Sequence, residues 1–351
     1  RICYIKNFKK IILSINSKIE EAIKNLDESK QKIVLICDDK NNFLGTITDG
    51  DIRRGLINGV LIDEPIDVII RQSPKFIEKG NYDLNDIIKF RQENYRIIPV
   101  LDNKKSIINV INFRQLYSYL PLDAVIMAGG RGQRLSPLTD TIPKPLLKVG
   151  DKSIIQHNID RLSYFGIDDF WISINYLGGM IKQQIGNGNE KNININYITE
   201  DMPLGTLGAI SKINEFQHEH ILVTNADILT NLDYEDFYLE FLNNDADMAV
   251  VTIPYEVKIP YAVLETKNSN ILSLKEKPTY TYYSNAGIYL IKKSLLNSIP
   301  KGMFYNATDL IESLIQNNKK VFSYPMLGYW LDIGNPEDYL KANNDIKNLK
   351  L

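Results

Sequence analysis

The sequence predicts an α/β fold with a mostly parallel, mixed sheet in its last two thirds, preceded by a smaller α+β module. Three observations carry this. From Asp123 onward, short apolar runs alternate with helical patterns, the mark of a sheet wound with helices. Before that point a helix–strand–strand–helix unit occurs twice, about 64 residues apart. In a chain of 351 residues each part has room for its own core. The predicted domains are 1–120 and 122–351. The join, Leu116-Tyr-Ser-Tyr-Leu-Pro121, is too short and too poor in Gly and Ser for a flexible tether.

In the first copy of the repeat, Ile19-Glu-Glu-Ala-Ile23 opens an amphipathic helix and Ile33–Cys37 is a strand. Asp38-Asp-Lys-Asn-Asn42 is a polar turn, Phe43–Ile47 a second strand, and Thr48-Asp-Gly-Asp-Ile52 starts a helix. The second copy runs as a helix from Leu84, strands Arg96–Leu101 and Ile107–Ile111, and a helix from Asn112. In the larger part, strand Ala124–Met127 leads into a glycine-rich loop. A helix over Ile154–Tyr164, strand Phe170–Ile174, a helix near Gly179 and the alternating strand Ile193–Thr199 follow. Then come a helical stretch Leu207–Glu215, the apolar strand Ile221–Thr224, and a helix Leu232–Asn243 with Asp233 as its cap.

A net charge of −2 leaves no basic footprint, which argues against a nucleic-acid partner. No apolar run approaches the ~20 residues needed to cross a bilayer, and no signal-peptide pattern opens the chain. Cys3 and Cys37 have no framework spacing, as expected of a cytoplasmic chain without disulfides. No Ser-His-Asp or Cys-His constellation is present, and His218 and His220 read as solvated.

Chemistry concentrates in Ala128-Gly-Gly-Arg-Gly-Gln-Arg-Leu and Pro143-Lys-Pro-Leu-Leu147. Gly129, Gly130 and Gly132 directly follow a buried strand, where glycine lets backbone N–H groups approach a ligand closely. Arg131, Arg134 and Lys144 then face an anion, a nucleotide phosphate being the natural choice. Leu135 occupies the place of a third fingerprint glycine, and no Gly-Lys-Ser/Thr closes a Walker loop. Prolines on both sides of Lys144 fix the backbone that carries it.

This pair of segments resembles the signature of the sugar-1-phosphate nucleotidyltransferases. The resemblance implies a Rossmann-like domain that joins a nucleoside triphosphate to a sugar 1-phosphate and releases pyrophosphate. It implies that Ala128, Gly129, Gly130 and Gly132 hold the triphosphate, with Arg131 and Lys144 at the reacting centre. Asp227 of Asn225-Ala-Asp227 and Asp332 of Trp330-Leu-Asp332 match the carboxylates that bind Mg²⁺. Glu276 and Lys277 match the Glu-Lys-Pro pair on the sugar and its phosphate, and Lys277 joins the catalytic set. Asn285 of Ser284-Asn-Ala-Gly287 and Ala262, where a glycine is common, complete the sugar side.

In the same family the segment Glu200-Asp-Met-Pro-Leu-Gly205-Thr embraces the base, which assigns Glu200, Pro203, Gly205 and Thr206 to the nucleotide. A carboxylate only accepts hydrogen bonds. Guanine offers two adjacent donors, whereas uracil and thymine flank one N–H with two carbonyls, so Glu200 favours GTP. The segment resembles the guanylyltransferase branch, such as the mannose- and heptose-1-phosphate enzymes. A solvated loop carboxylate is the plain alternative.

The N-terminal repeat resembles a pair of CBS domains, which implies an adenine nucleotide in the cleft and a homo-oligomer assembled by pairing. Gly45, Thr48 and Asp51 keep the ligand run, whereas Asn109, Asn112 and Gln115 replace it in the second copy. Thr48 and Asp51 also fit a helix cap and a first-turn acid. A CBS pair ahead of a guanylyltransferase-like domain resembles the glucosamine-1-phosphate guanylyltransferases of legionaminic-acid biosynthesis. Mannose or heptose 1-phosphate, another base, or an adenylate-sensing subunit with a non-catalytic transferase domain are the alternatives.

Overall fold

The computed structural model describes residues 8–71 and 73–349, which cluster into two compact units. The first takes the residues up to Pro121 together with Ser163–Asp168 and Gly188–Asn194. It contains β1 (Ile12–Ser14), α1 (Ile19–Ser29), β2 (Ile33–Cys37), β3 (Phe43–Thr48), α2 (Asp49–Ile57), β4 (Ile77–Glu78), α3 (Leu84–Gln92), β5 (Ile97–Leu101) and β6 (Ile107–Asn112). The repeat is visible in the pairing. β1 runs parallel to β2 and β2 antiparallel to β3, while β4, β5 and β6 repeat that pattern. Ile19, Ala22 and Leu26 form one buried stripe of α1, packed with Val34, Ile36 and Ile47 from the strands.

The repeat is not closed by a second helix. After β6, Gln115 and Leu116 donate back to the Asn112 carbonyl in a single turn. The Tyr117 and Leu120 N–H groups bond the Tyr164 and Phe165 carbonyls instead of continuing a ladder. Gly166 permits this approach, since a Cβ there would stand 2.4 Å from the Ser118 carbonyl oxygen. These contacts explain why Ser163–Asp168 belongs to the first unit.

The second unit is built on β7 (Leu122–Met127). It continues with β8 (Lys148–Val149), β9 (Lys152–Ser153), α4 (Ile154–Tyr164, its last two residues in the first unit), β10 (Asp169–Ile174), α5 (Gly178–Ile185), β11 (Asn194–Thr199), β12 (His220–Asn225), β13 (Ile228–Thr230) and α6 (Tyr234–Asn243). Then follow β14 (Met248–Lys258), β15 (Val263–Lys267), β16 (Asn270–Lys275), β17 (Thr279–Lys292), α7 (Ala307–Gln316), β18 (Val321–Pro325), β19 (Trp330–Asp332) and α8 (Pro336–Asp345). Seven strands form the main sheet in the order β11-β10-β7-β12-β17-β14-β18. β10, β7 and β12 are parallel, β17 is antiparallel to both neighbours, and β18 is parallel to β14. The mostly parallel mixed α/β sheet expected from the sequence is the one observed.

Asp233 caps α6 as expected, accepting from the Glu235 and Asp236 N–H groups at 3.0 Å. The helix expected over Leu207–Glu215 is only a 3₁₀ turn, Gly208–Lys212. The Leu207 and Gly208 N–H groups are taken by the Tyr305 carbonyl, which draws this backbone onto the chain before α7. No helix among the described residues is long and apolar enough to cross a membrane.

Candidate active site

The site lies beyond the carboxyl ends of β7, β10, β11 and β12, where ligands bind in sheets of this kind. A cavity of about 550 Å³ opens there. Gly129, Gly130 and Arg131 line it from the loop after β7, and Glu200, Pro203, Leu204, Gly205 and Thr206 from the loop after β11. Asn225 and Asp227 enter from the end of β12, and Phe304 and Asn306 from the segment before α7.

The glycine loop is held tightly at two points. Gly132 sits at φ +66°, and a Cβ on it would press to 2.9 Å from the Cβ of Lys144. A side chain at Gly129 would meet the Glu200 carboxylate at 2.7 Å. Ala128, buried, is anchored by its N–H to the Ser173 carbonyl at 2.9 Å. Lys144 is carried by a short 3₁₀ turn, Lys144–Leu146, whose preceding Pro143 is extended at φ −63°.

Lys144 is buried, and its Nζ donates to Asp227 Oδ2 at 2.5 Å, with Asp332 Oδ1 at 4.0 Å. The two carboxylates meet because β13 and β19 form an antiparallel ribbon in which Ile228 is paired with Asp332. The Ile333 N–H donates to the Asp227 carbonyl at 3.0 Å and fixes the register. Asp227 Oδ1 and Asp332 Oδ1 are buried oxygens without a hydrogen-bond partner. Burial, and next the Asp227 charge, push the Asp332 carboxyl above the usual range, while Lys144 and Arg134 pull it back. Two carboxylates with free oxygens are a hard donor set that fits Mg²⁺.

Arg134 is the residue that loop reading undervalued. Its guanidinium reaches Gly334, with Nη2 3.5 Å from where a Cβ there would be, and its charge acts on Asp332. It therefore belongs to the carboxylate cluster, whereas Arg131 lies on the cavity wall. Asn175, Tyr176, Asn225, Phe304 and Asn306 also line the cavity without belonging to the segments read as nucleotide-binding.

Glu200 lies in the wall, but its carboxylate is already engaged. Oε1 accepts from the Ser173 hydroxyl and Oε2 from the Leu204 N–H at 2.9 Å. An ionised carboxylate accepts about four hydrogen bonds, so each oxygen retains capacity toward the cavity. The Thr206 hydroxyl oxygen accepts from the Ala307 N–H at 2.6 Å and so also tethers the start of α7.

The sugar-side residues are not gathered into this cavity. Glu276 and Lys277 are exposed where β16 passes to β17, and Lys277 turns the chain at φ +42°. Ala262 is exposed just before β15. Asn285 lines a separate open cavity beside α7 with Thr252, Tyr283 and Ile311, and donates to the Tyr289 hydroxyl at 2.9 Å.

In the first unit Thr48 and Asp51 form a closed capping box on α2. The Thr48 N–H and hydroxyl donate to Asp51 Oδ2 at 2.9 and 2.6 Å, and Arg54 holds Oδ1 at 2.5 Å. Thr48, not Asp51, lines a cavity of about 330 Å³ shared by both copies of the repeat, with Lys32, Arg71, Lys75 and Arg96 on its walls.

Comparison with known proteins bears on both units. A CBS domain family matches residues 6–58. The chain is 30% identical over 228 residues to a mannose-1-phosphate guanyltransferase of Schizosaccharomyces pombe, covering 62% of each chain. It is 29% identical over 230 residues to a D-glycero-alpha-D-manno-heptose 1-phosphate guanylyltransferase of Aneurinibacillus thermoaerophilus, covering 64% of this chain and 99% of that one. Thus the chain spans under two thirds of the length of the first of these relatives. Among solved structures, HddC of Yersinia pseudotuberculosis is similar at 28% identity and a TM-score of 0.50, over 64% of this chain and 99% of that one. The Nucleotidyl transferase family matches residues 123–348, from the start of β7 to beyond α8 and so across the whole cavity, and the chain belongs to that family.

Proposed function

We propose that the chain transfers a nucleoside monophosphate from a nucleoside triphosphate to a sugar 1-phosphate, giving a nucleoside-diphosphate sugar and pyrophosphate. The observation that carries this is the convergence of Lys144 and Asp332 on Asp227, which itself lines the glycine-lined cavity. A phosphate oxygen of the sugar phosphate, already an anion, attacks the α-phosphorus while the bond to the β-phosphate breaks. No general base is required, so positioning and charge neutralisation do the work. Arg131 bears on the triphosphate from the cavity wall and Lys144 on the reacting centre, while Lys277, exposed outside this cavity, is assigned the incoming phosphate by the family resemblance alone. Mg²⁺ held by Asp227 and Asp332 would supply further neutralisation of phosphate charge.

GTP is the favoured donor in this reading. Glu200 supports it through its remaining acceptor capacity, and the guanylyltransferase names of the relatives support it independently. For the acceptor, the CBS repeat ahead of the transferase unit favours glucosamine 1-phosphate. The relatives' names favour mannose or heptose 1-phosphate. Incubating GTP, UTP, dTTP and CTP with each sugar phosphate, and resolving products by ³¹P NMR, separates these. Failure to release pyrophosphate with every triphosphate and sugar phosphate pair in that panel sinks the proposal.

The first unit is read as a regulatory or assembling module. The cationic cavity shared by the two repeat copies supports an adenine nucleotide there, and a homo-oligomer is proposed from the CBS resemblance alone. With Asp51 sealed in its capping box, Lys32, Arg71 and Arg96 carry the binding rather than Asp51. Calorimetric titration of ATP and AMP into wild type and Arg96→Glu tests it, an unchanged heat in the variant being the adverse result. A cytoplasmic setting belongs to this proposal and rests on the scarcity of cysteine.

A further inference from the structure

β10 lies between β11 and β7, the two strands whose following loops carry Glu200 and the glycine-rich segment. Its carboxyl end therefore touches both. Ser173, fully buried, donates its hydroxyl to Glu200 Oε1 and accepts the Ala128 N–H on its carbonyl at 2.9 Å. Ile174 accepts the Glu200 N–H at 2.9 Å, and Asn175 donates its side-chain amide to the Glu200 carbonyl at 2.8 Å. Next along the chain, the Arg131 guanidinium lies over the Tyr176 ring at 5.3 Å, within cation–π range. The Tyr176 hydroxyl donates to the Asp140 carbonyl at 2.9 Å, which holds the ring across the glycine loop.

We infer that Ser173, Asn175 and Tyr176 are the positioning residues of the nucleotide site, with a division of labour along the strand end. Ser173 and Asn175 set the base-reading segment, and Tyr176 sets the phosphate-facing arginine. Arg131 is otherwise an exposed side chain on a glycine loop, free to sample many rotamers. A half-buried ring beneath it removes much of that freedom before the nucleotide arrives. Ser173 acts differently: by occupying one acceptor site of Oε1, it fixes which lone pairs of Glu200 remain for a base edge. Ser173 is thus a specificity residue, and Tyr176 an affinity residue blind to the base.

The inference rests on the nucleotidyl-transfer reading, and nucleotide binding separates the two. GTP and UTP are titrated into wild type, Tyr176→Leu, Tyr176→Phe and Ser173→Ala, and kcat and KM are measured where turnover occurs. Tyr176→Leu is expected to weaken both nucleotides equally, by about three- to tenfold, with Tyr176→Phe restoring most of the affinity because the ring remains. Ser173→Ala is expected to lower the GTP-to-UTP preference by about tenfold. Equal GTP and UTP losses in Ser173→Ala, or no loss in Tyr176→Leu while circular dichroism shows both folded, overturn the inference. If wild type binds nucleotide but releases no pyrophosphate, the transfer reading fails while the binding constants still decide this one. If wild type binds no nucleotide, both fall.

Discussion

Lys144 and Asp227, 83 residues apart in sequence, form a 2.5 Å ion pair, and Asp227 lines the cavity. The pair is partly shielded from water, so the ammonium acts on neighbouring charge with little screening. It is also incomplete, because Asp227 Oδ1 has no hydrogen-bond partner. The carboxylate proposed to hold the cation and the ammonium proposed to bear on phosphate are thus held together before any substrate arrives.

Removing either partner is expected to stop catalysis without unfolding the chain. Lys144→Ala and Asp227→Asn should each lower kcat/KM by roughly 10²–10³-fold or more, the usual loss for one preorganised electrostatic group. Far-UV circular dichroism should be unchanged. Arg134→Ala is expected to fall in the same class, because its charge acts on Asp332. Steady-state rates near wild type in these variants would remove the cluster from the chemistry.

Gly129→Ala gives a test of close packing. The new methyl would stand 2.7 Å from Glu200 Oε1 and 3.3 Å from its Cδ, so the carboxylate must move. The expected outcome is a weaker and less base-selective site, read by comparing GTP and UTP binding. A variant with wild-type selectivity would mean that Glu200 does not meet the base.

Glu200→Gln should shift preference from GTP toward UTP or dTTP. One hydrogen bond to a charged group is worth about 1.5–3 kcal/mol, so the kcat/KM ratio should change by about 10- to 100-fold. Gln, with one acceptor oxygen, also cannot accept from both the Ser173 hydroxyl and the Leu204 N–H in either amide orientation, which adds to the loss for GTP. An unmoved ratio would count against base reading.

The amino-terminal end of the sheet carries a separate pH response. Asp123 is buried opposite Asp169 in the β7–β10 ladder and accepts the His218 N–H at 2.8 Å. Burial pushes its carboxyl up to about 6, only partly countered by His218. Below an unfolded-state value near 4 both states are protonated, and between that and about 6 the native state binds the extra proton. Native stability from this group is therefore present at low pH and lost as pH rises through about 6, to an extent on the order of 3 kcal/mol. Asp123→Asn should gain Tm relative to wild type as pH rises from 4 to 7. A constant Tm difference over that range would contradict it.

Much of this was legible in the sequence, for reasons that are local. Periodicity found α4, β10, β12 and the Asp233 cap because short-range contacts dictate them. The glycine loop and Lys144 were legible because proline and glycine restrict backbone directly. The Leu207–Glu215 stretch was misread because its N–H groups go to Tyr305, almost a hundred residues away. The helix after Asn112 failed similarly, its amides being claimed by Tyr164 and Phe165. Asp227 and Asp332 carry no local sign that they meet; the β13–β19 ribbon brings them together. Thr48 and Asp51 carried two readings, and the capping box selects the structural one for Asp51.

In the proposed reaction the cluster of Lys144, Asp227 and Asp332 is the reacting centre of nucleotidyl transfer. The most direct measurement follows GTP, sugar 1-phosphate, pyrophosphate and nucleotide sugar together by ³¹P NMR in wild type and Lys144→Ala. One pyrophosphate per nucleotide sugar in wild type, and neither product in the folded variant, is the predicted result. Equal product formation by the two proteins, or GTP converted to GDP and phosphate instead, would contradict it.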